Sequence, residues 1–266
     1  MNDLVFLKLG GSLITDKDTP HCARYAVITR IAQEIALGLR ANPGMNLLVG
    51  HGSGSFGHFA ARQYATRDGV STPDQWHGFA AVWREAKALN AIVLEALADA
   101  GLPVVGFSPC SQVLTDSHEI TVWDTTQIQI ALQNGLLPVV YGDVIFDTAL
   151  GGTILSTEEQ FEYLAGQLDP KRILLAGIES GIWQDFPHRE EIFQHISPTN
   201  FPEVEKHLAR STSPDVTGGM KSKVESMLNL VLNGACEEVC IFSGLAEDSI
   251  SSALSGDCAG TKISLE

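Results

Sequence analysis

The sequence has little positive charge and no long apolar run. Lysine and arginine number 17 against 32 aspartates and glutamates, so the formal net charge is −15. Because a nucleic acid is itself a polyanion, we expect no nucleic-acid partner. No run reaches the roughly 18–20 apolar residues of a membrane span, and the N-terminus lacks the basic-then-apolar pattern of a signal peptide. We therefore expect a cytoplasmic protein with no membrane partner.

Cysteine is also scarce. The five cysteines are odd in number and scattered, and no set of cysteines and histidines has the spacing of a zinc site. This pattern predicts reduced thiols and no bound structural metal. Hydrophobic residues make up 44% of the 266 positions, enough to bury a large core as one domain or as two closely joined lobes.

Apolar strands alternate with amphipathic helices along most of the chain. The predicted strands include 4–9, 46–50, 102–107, 136–141 and 171–176, and two hairpins are predicted within 113–122 and 144–155. The longest predicted helix runs from Pro73 to Ala100. The alternation predicts an α/β fold, a three-layer sandwich around a central, mostly parallel open sheet. We expect one domain over 1–266, with an N-terminal lobe of about 1–168 and a C-terminal lobe of about 169–266.

Three glycine-rich turns stand where strands end or helices begin. They occupy 8–12 (Lys-Leu-Gly-Gly-Ser), 50–58 (Gly-His-Gly-Ser-Gly-Ser-Phe-Gly-His) and 215–223 (Asp-Val-Thr-Gly-Gly-Met-Lys-Ser-Lys). In such turns backbone N–H groups converge, a helix N-terminus adds a positive dipole, and the absent Cβ atoms let phosphate oxygens approach. Two of the three turns also carry lysines. Together they predict a site that holds several phosphates at once.

Two common nucleotide-binding motifs fit the sequence poorly. The turn at 8–12 lacks the residue order of a Walker A loop. The spacing Gly52-x-Gly54-x-x-Gly57 matches a dinucleotide-binding turn, but only Asp68 or Asp74 could supply the acid that such a site needs. Both aspartates lie in polar loop sequence, so we do not expect a dinucleotide site.

The residues and their order instead resemble the amino acid kinase family. Lys8-x-Gly10-Gly11-Ser12 at the first strand matches that family, as does Gly218-Gly219-Met220-x-x-Lys223. The form Gly54-Ser55-Phe56-Gly57-His58, with Gly142-Asp143-Val144, is similar to the members that phosphorylate isopentenyl phosphate. The resemblance spans essentially the whole chain.

The resemblance implies an enzyme of isoprenoid biosynthesis that uses ATP to convert isopentenyl phosphate to isopentenyl diphosphate. It also implies Mg²⁺ carried in by the nucleotide, and a homodimer. Lys8 would hold the transferring phosphoryl group, Lys17 would stabilise the transition state, and Lys223 would bind the nucleotide phosphates. Asp143 would orient the lysines. Further nucleotide contacts are implied for Gly10, Gly11, Ser12, Gly54, Gly177 and Gly219, with adenine near 177–183.

On the acceptor side, the resemblance implies that His58 binds the acceptor phosphate. Further contacts are implied for Ser53, Gly54, Ser55, Gly57 and Gly152. A phosphate acceptor is already ionised near neutral pH, so the site needs hydrogen-bond donors and cations rather than a general base. Phe79 and Trp83 either line an apolar channel for the isoprenoid chain or belong to the ordinary core.

Simpler interpretations stay open for several residues. Lys17 lies between Asp16 and Asp18 and fits a solvated charge cluster, and Asp143 fits a turn cap. The sequence Ser156-Thr157-Glu158-Glu159 departs from the Ser-Gly-Asp-Asp turn typical of the family, which leaves the nucleotide side less defined. Two other functions remain: a kinase of a small phosphonate such as fosfomycin, and a non-catalytic nucleotide-binding sensor or storage module.

Overall fold

Strands and helices alternate along the chain, of which the computed structural model describes residues 3–208 and 219–266. The strands are β1 (Asp3–Leu9), β2 (Met45–His51), β3 (Val104–Gly106), β4 (Val113–Asp116), β5 (Glu119–Trp123), β6 (Leu137–Tyr141), β7 (Asp143–Asp147), β8 (Gly151–Leu155), β9 (Arg172–Gly177), β10 (His195–Ile196), β11 (Glu238–Ser243) and β12 (Thr261–Ser264). The helices are α1 (Gly11–Ile14), α2 (Tyr25–Ala41), α3 (Gly54–Gln63), α4 (Pro73–Asp99), α5 (Thr126–Gln133), α6 (Thr157–Leu168), α7 (Phe201–Leu208), α8 (Gly219–Leu232) and α9 (Ser249–Leu254).

The main sheet has eight strands in the order β10-β12-β11-β9-β1-β2-β6-β3. The six strands from β11 to β3 are parallel, and β12 pairs antiparallel with β11. Parallel neighbours end at the same edge of a sheet, so the turns that follow β9, β1, β2 and β6 are brought together. The predicted α/β fold with a large, mostly parallel sheet is confirmed.

Both faces of this sheet are covered by apolar side chains. On β1 successive side chains alternate between the two sides: Val5 and Leu7 pack in one cluster with α2, α4 and α9, and Phe6 packs in another with α6 and α8. All three side chains are fully buried. A strand buried on both faces has no polar positions to alternate with its apolar ones, which is why the sequence of β1 reads as a continuous apolar run.

Helix α4 begins where its sequence predicts. Thr72 accepts a hydrogen bond from the N–H of Gln75 and completes a capping box, and Pro73 occupies the first helical position. The helix is 27 residues long, but it carries charged residues throughout. Among the described residues, none of the helices is both long and apolar enough to cross a membrane.

A second sheet of four strands stands beside the main one, in the order β5-β4-β7-β8. Its two antiparallel pairs, β4 with β5 and β7 with β8, are the hairpins predicted from the sequence. The run 102–107 differs from its prediction as a buried strand. It gives the three-residue strand β3 at the edge of the main sheet, where Val105 is 37% exposed. An apolar run predicts a strand, but it does not tell whether another strand lies beyond it.

The prediction of reduced thiols is wrong for two of the cysteines. Cys240 of β11 and Cys258, which follows α9, form a disulfide bond across a separation of 18 residues. Cys22, Cys110 and Cys236 are free. Sequence separation alone gave no indication that β11 and the segment after α9 lie side by side.

We expect Cys258→Ser to lower the free energy of unfolding by about 3 kcal/mol, since a closed loop of this length restricts the unfolded chain to that extent. Chemical denaturation of the oxidised protein measures the change. Cys22→Ser, which removes a free thiol, is the control and should leave the midpoint unchanged. Equal stability of Cys258→Ser and the unaltered chain would show that the bond does not stabilise the fold.

Candidate functional site

Two of the glycine-rich turns meet at the carboxyl edge of the main sheet. The Gly10 N–H donates to the carbonyl of Ala176 at the end of β9 (2.8 Å), and the Gly52 N–H donates to the carbonyl of Leu9 at the end of β1 (3.0 Å). The first two glycine-rich turns of the sequence therefore lie side by side. The Asp215–Gly218 part of the third lies outside the described residues, and its helix α8 begins at Gly219.

Glycine is required where the first two turns touch. A Cβ on Gly11 would lie 2.6 Å from the backbone nitrogen of Gly54, and Gly54 itself has a φ of +50°. A real Cβ does not approach a backbone atom this closely, and a positive φ strains other residues. Thr15 fastens the contact, because its hydroxyl donates to the Gly11 carbonyl and accepts the Ser55 N–H. The two turns thus form one continuous backbone surface.

Two of the predicted lysines meet at a single carboxylate. Lys8 of β1 and Lys223 of α8 both contact the Oε1 atom of Glu158 in the first turn of α6, Lys223 at 3.1 Å. Burial raises the pKa of Glu158, but the two ammonium groups outweigh burial and hold the pKa well below its usual range. A carboxylate shared by two cations stays ionised and keeps both of them at the sheet edge.

The first turn of α6 is held by further contacts. Ser156 caps the helix and forms a capping box with Glu159. Glu159 also pairs with Arg67 (2.6 Å), and the Thr157 hydroxyl donates to the carbonyl of His51 at the end of β2 (2.7 Å). The backbone that carries Glu158 is therefore tied to the turn after β2 and to the segment between α3 and α4.

Glu158 is the residue that sequence reasoning missed, since the role of orienting the lysines was given to Asp143. Asp143 is buried at the start of β7, where its Oδ1 accepts the N–H of Val144. Burial raises the pKa of Asp143 to about 8. The carboxylate that contacts both lysines is that of Glu158, and the role predicted for Asp143 stays a prediction. Two glutamates in a helix's first turn, directly after a strand, were the available signal.

The acceptor-side residues lie within the second glycine-rich turn. Ser53, Gly54, Ser55, Gly57 and His58 belong to the start of α3, and His58 is exposed. The hydroxyl oxygen of Ser55 is buried and has no hydrogen-bond partner among the described residues. His51, which precedes this turn, is buried against Asn90 (3.0 Å), and burial lowers its pKa, so it is a neutral structural histidine.

A small apolar cluster lies next to α3. It is formed by buried side chains of α3, α4 and β7 and by partly buried neighbours: Ala61, Val70, Phe79, Val82, Val144, Ala60, Trp83, Cys110 and Ile154. Gly152 of β8 lies under the ring of Phe79, where a Cβ would come within 2.9 Å of two ring carbons. The cluster thus brings Phe79, Trp83 and Gly152 next to α3, the helix that carries His58.

The remaining predicted residues belong to several other elements. Ser12 is in α1, directly after Gly11, and Gly177 ends β9. Lys17 is exposed in the segment between α1 and α2. Lys221 of α8 pairs with Glu205 (2.7 Å) and is a surface residue. Within the segment 177–183, which is predicted to lie near adenine, the indole N–H of Trp183 donates to Glu179 (2.8 Å).

Residues 3–243 match the model of the amino acid kinase family. The chain belongs to the amino acid kinase family. Its curated relatives are kinases, and a kinase takes its phosphoryl group from ATP. The chain is 32% identical over 266 residues to the isopentenyl phosphate kinase of Methanocaldococcus jannaschii, with 98% of each chain covered. It is 31% identical to the isopentenyl phosphate kinase of Methanothermobacter thermautotrophicus, again with 98% of each chain covered.

Solved structures of this family share the fold. A crystal structure of isopentenyl phosphate kinase superposes with a TM-score of 0.82 at 27% identity and covers 98% of this chain and 100% of its own. Carbamate kinase from Giardia lamblia, bound to AMP-PNP, superposes with a TM-score of 0.72 at 15% identity over 100% of this chain and 99% of its own. At that identity the second likeness shows the fold alone.

Proposed function

We propose that this kinase transfers the γ-phosphoryl group of ATP to isopentenyl phosphate and so forms isopentenyl diphosphate. The observation that carries the proposal is the meeting of Lys8 and Lys223 at Glu158, beside the joined turns of Gly10–Gly11 and Gly52–Gly54. Transfer between two phosphates brings two anions together, so cations and N–H donors must offset their charge. The two isopentenyl phosphate kinases that match over nearly their full length support this acceptor.

Lys8 and Lys223 are proposed to hold the transferring group and the nucleotide phosphates. Both ammonium groups contact Glu158, and each carries three N–H donors of the kind that phosphate oxygens accept. Backbone N–H groups of Gly10, Gly11 and Ser12 would bind the same phosphates. Lys17 would stabilise the transition state, while Gly54, Gly177 and Gly219 would complete the nucleotide side.

The start of α3 is proposed to bind the acceptor phosphate. His58 would donate a hydrogen bond to it, and a histidine beside a phosphate dianion is held protonated. The buried hydroxyl of Ser55, which has no partner among the described residues, supports a phosphate oxygen nearby. Ser53, Gly54 and Gly57 would add contacts from the helix N-terminus, and Gly152 would add one from β8.

The apolar cluster beside α3 supports an isoprenoid chain over a small phosphonate. Phe79 is 6% exposed and Val82 is 3% exposed, and the partly buried Trp83 packs against them. A five-carbon chain buried against such side chains gains hydrophobic free energy that a compact polar phosphonate does not. A non-catalytic nucleotide-binding module is disfavoured, because the curated relatives that match this chain are kinases.

We propose that Mg²⁺ enters bound to ATP and offsets charge on the phosphates. The described residues hold no group of three or more histidines, cysteines or acids placed to bind a metal ion. Asp143, with a pKa raised to about 8, is also a poor ligand near neutral pH. The donor set of the chain thus fits a metal held mainly by the nucleotide.

We also propose a division of labour within the chain and a homodimer. The segment 1–168 would bind the acceptor, and 169–266 the nucleotide. The edge strand β3, with Val105 37% exposed and Leu136 38% exposed beside it, offers unpaired backbone groups to a second copy. Light scattering should give twice the chain mass of 28.6 kDa.

The test of the acceptor is an ADP-coupled assay over a panel of compounds. The panel holds isopentenyl, dimethylallyl and longer prenyl phosphates, fosfomycin, acetylglutamate and uridylate. We expect the highest kcat/KM with isopentenyl phosphate. A higher value with fosfomycin would replace the proposed acceptor, and ATP binding without turnover on any member would favour a sensor.

We expect His58→Ala to lower kcat/KM for isopentenyl phosphate by about 10–100-fold, since a charge-assisted hydrogen bond contributes about 1.5–3 kcal/mol. The KM for ATP should change little. His77→Ala is the matched control, because His77 is an exposed histidine whose ring contacts the Pro73 carbonyl within α4. Wild-type kcat/KM in His58→Ala would show that the acceptor phosphate binds elsewhere.

A further inference from the structure

The segment 16–22, here called the Lys17 loop, follows α1, and its two ends are held together. Thr15 forms a β-bridge with Ala23, and the Asp16 N–H donates to the Cys22 carbonyl (2.9 Å), so the loop is closed at its base. Thr15 is also the residue whose hydroxyl accepts the Ser55 N–H (2.9 Å). The base of the Lys17 loop is therefore joined to the turn proposed to bind the acceptor.

One residue of the loop reaches other elements. The Nδ1 atom of His21 lies 2.7 Å from Oε2 of Glu85 on α4, and the His21 ring meets the ring of Phe56 on α3 edge-on, with 5.6 Å between centroids. His21 has a φ of +55°, a backbone conformation that residues with a Cβ rarely adopt. Such a conformation persists when surrounding contacts favour it, and the contacts of this ring are with α3 and α4.

The partner of His21 stands on the helix of the apolar cluster. Glu85 follows Val82 by three residues, so the two side chains lie on adjacent turns of α4. The Glu85 side chain is 19% exposed, whereas that of His21 is 54% exposed. Among the described residues, the other hydrogen bonds of the loop stay within it or at its base, as in the Asp18 N–H bond to Asp16 Oδ1 (2.9 Å).

We propose that the His21–Glu85 contact is a latch that holds the Lys17 loop against α4 and so positions Lys17 for phosphoryl transfer. The catalytic part of this inference rests on the proposed role of Lys17. Lys17 and His21 each lie two residues from the bridged pair of Thr15 and Ala23, so fixing His21 against α4 restricts the short loop that carries Lys17. His21 and Glu85 are positioning residues in this account, since they act through Lys17.

The first measurement of the latch does not depend on activity. Amide hydrogen exchange of a peptide covering residues 16–23 should be at least about tenfold faster in His21→Ala and in Glu85→Ala than in the unaltered chain. Glu85→Gln keeps an oxygen that accepts the histidine N–H. Its exchange should therefore fall between that of the alanine variants and that of the unaltered chain. Glu95→Gln, on the same helix but farther along, is the control and should leave the exchange unchanged. Unchanged exchange in His21→Ala would overturn the latch.

The second measurement tests the link to Lys17. We expect His21→Ala to lower kcat about fivefold with the KM for ATP within about twofold, since a hydrogen bond to a charged group is lost. In a Lys17→Ala background the same substitution should have no further effect on kcat. An equal loss in both backgrounds would contradict positioning through Lys17 and indicate a general structural role.

The two measurements separate the inference from the proposed function. If isopentenyl phosphate is not phosphorylated and the exchange result holds, the function fails and the latch stands. If isopentenyl phosphate is phosphorylated and exchange in His21→Ala matches that of the unaltered chain, the latch fails and the function stands.

Discussion

Replacing Lys8 by alanine is expected to lower kcat by about 100–1,000-fold, the effect of removing one preorganised group that stabilises charge in a transition state. The KM for ATP should rise by less than about tenfold, because Lys223 and the backbone N–H groups would still hold the phosphates. Lys8 is only 8% exposed and lies at the end of the central strand, so its ammonium group has little freedom to reach elsewhere. Steady-state kinetics with isopentenyl phosphate measures both constants.

Lys171→Ala is the matched control for this substitution. Lys171 is an exposed lysine beside the opposite edge of the same sheet, where it pairs with Asp3 (2.5 Å). Its loss removes the same charge from the chain without touching the proposed site, so kcat should stay within about twofold. A Lys8→Ala enzyme with normal kcat and a raised KM for ATP would make Lys8 a binding residue only.

Glu158→Gln is expected to lower kcat by about 100-fold, since small displacements of positioned groups cost that much. Glutamine keeps the shape of the side chain but removes the charge that draws Lys8 and Lys223 together. The KM for ATP should not increase, because the two ammonium groups lose their competing anion. This combination separates an orienting carboxylate from one that merely contributes to folding, which would leave kcat intact.

The same substitution should also lower the free energy of unfolding by about 3 kcal/mol, because two close cations, Lys8 and Lys223, lose a carboxylate that they share. The pKa of Glu158 is depressed in the folded chain, so its contribution is fully present above the ordinary carboxyl pKa and is lost as pH falls below it. The stability difference from the unaltered chain should therefore be constant from pH 6 to 8 and shrink on acidification.

Glu162→Gln is the control for both effects. Glu162 lies one turn farther along α6, where burial raises its pKa. Its neutral replacement should leave kcat unchanged and should not destabilise the chain near neutral pH. Equal losses in the Glu162 and Glu158 variants would assign the effect to the helix rather than to the shared carboxylate.

Much of the candidate site was predictable because parallel strands place their following turns together. The turns at Gly10–Gly11 and Gly52–Gly54 were recognisable from glycine spacing, and their contact follows from the pairing of β1 with β2. The convergence of Lys8 and Lys223 was expected from the family resemblance, and the ion pairs with Glu158 bring them together.

The rest depends on contacts that sequence spacing does not encode. Glu158 and Glu159 carry the same charge and both lie in the first turn of α6, yet Glu158 contacts the lysines and Glu159 contacts Arg67. Which glutamate meets which partner depends on how α6 is rotated about its axis relative to β1 and α8. The bond between Cys240 and Cys258 and the edge position of β3 likewise arise from which elements become neighbours.

The most direct test of the account follows the phosphorus atoms themselves. With ATP, Mg²⁺ and isopentenyl phosphate, ³¹P NMR should show the acceptor phosphate resonance replaced by the paired resonances of a diphosphate, with one ADP formed for each. The Lys8→Ala chain under the same conditions should show this conversion at least about 100-fold more slowly. Release of inorganic phosphate from ATP with the acceptor resonance unchanged would contradict the account, because the gathered positive groups would then not be serving transfer between two phosphates.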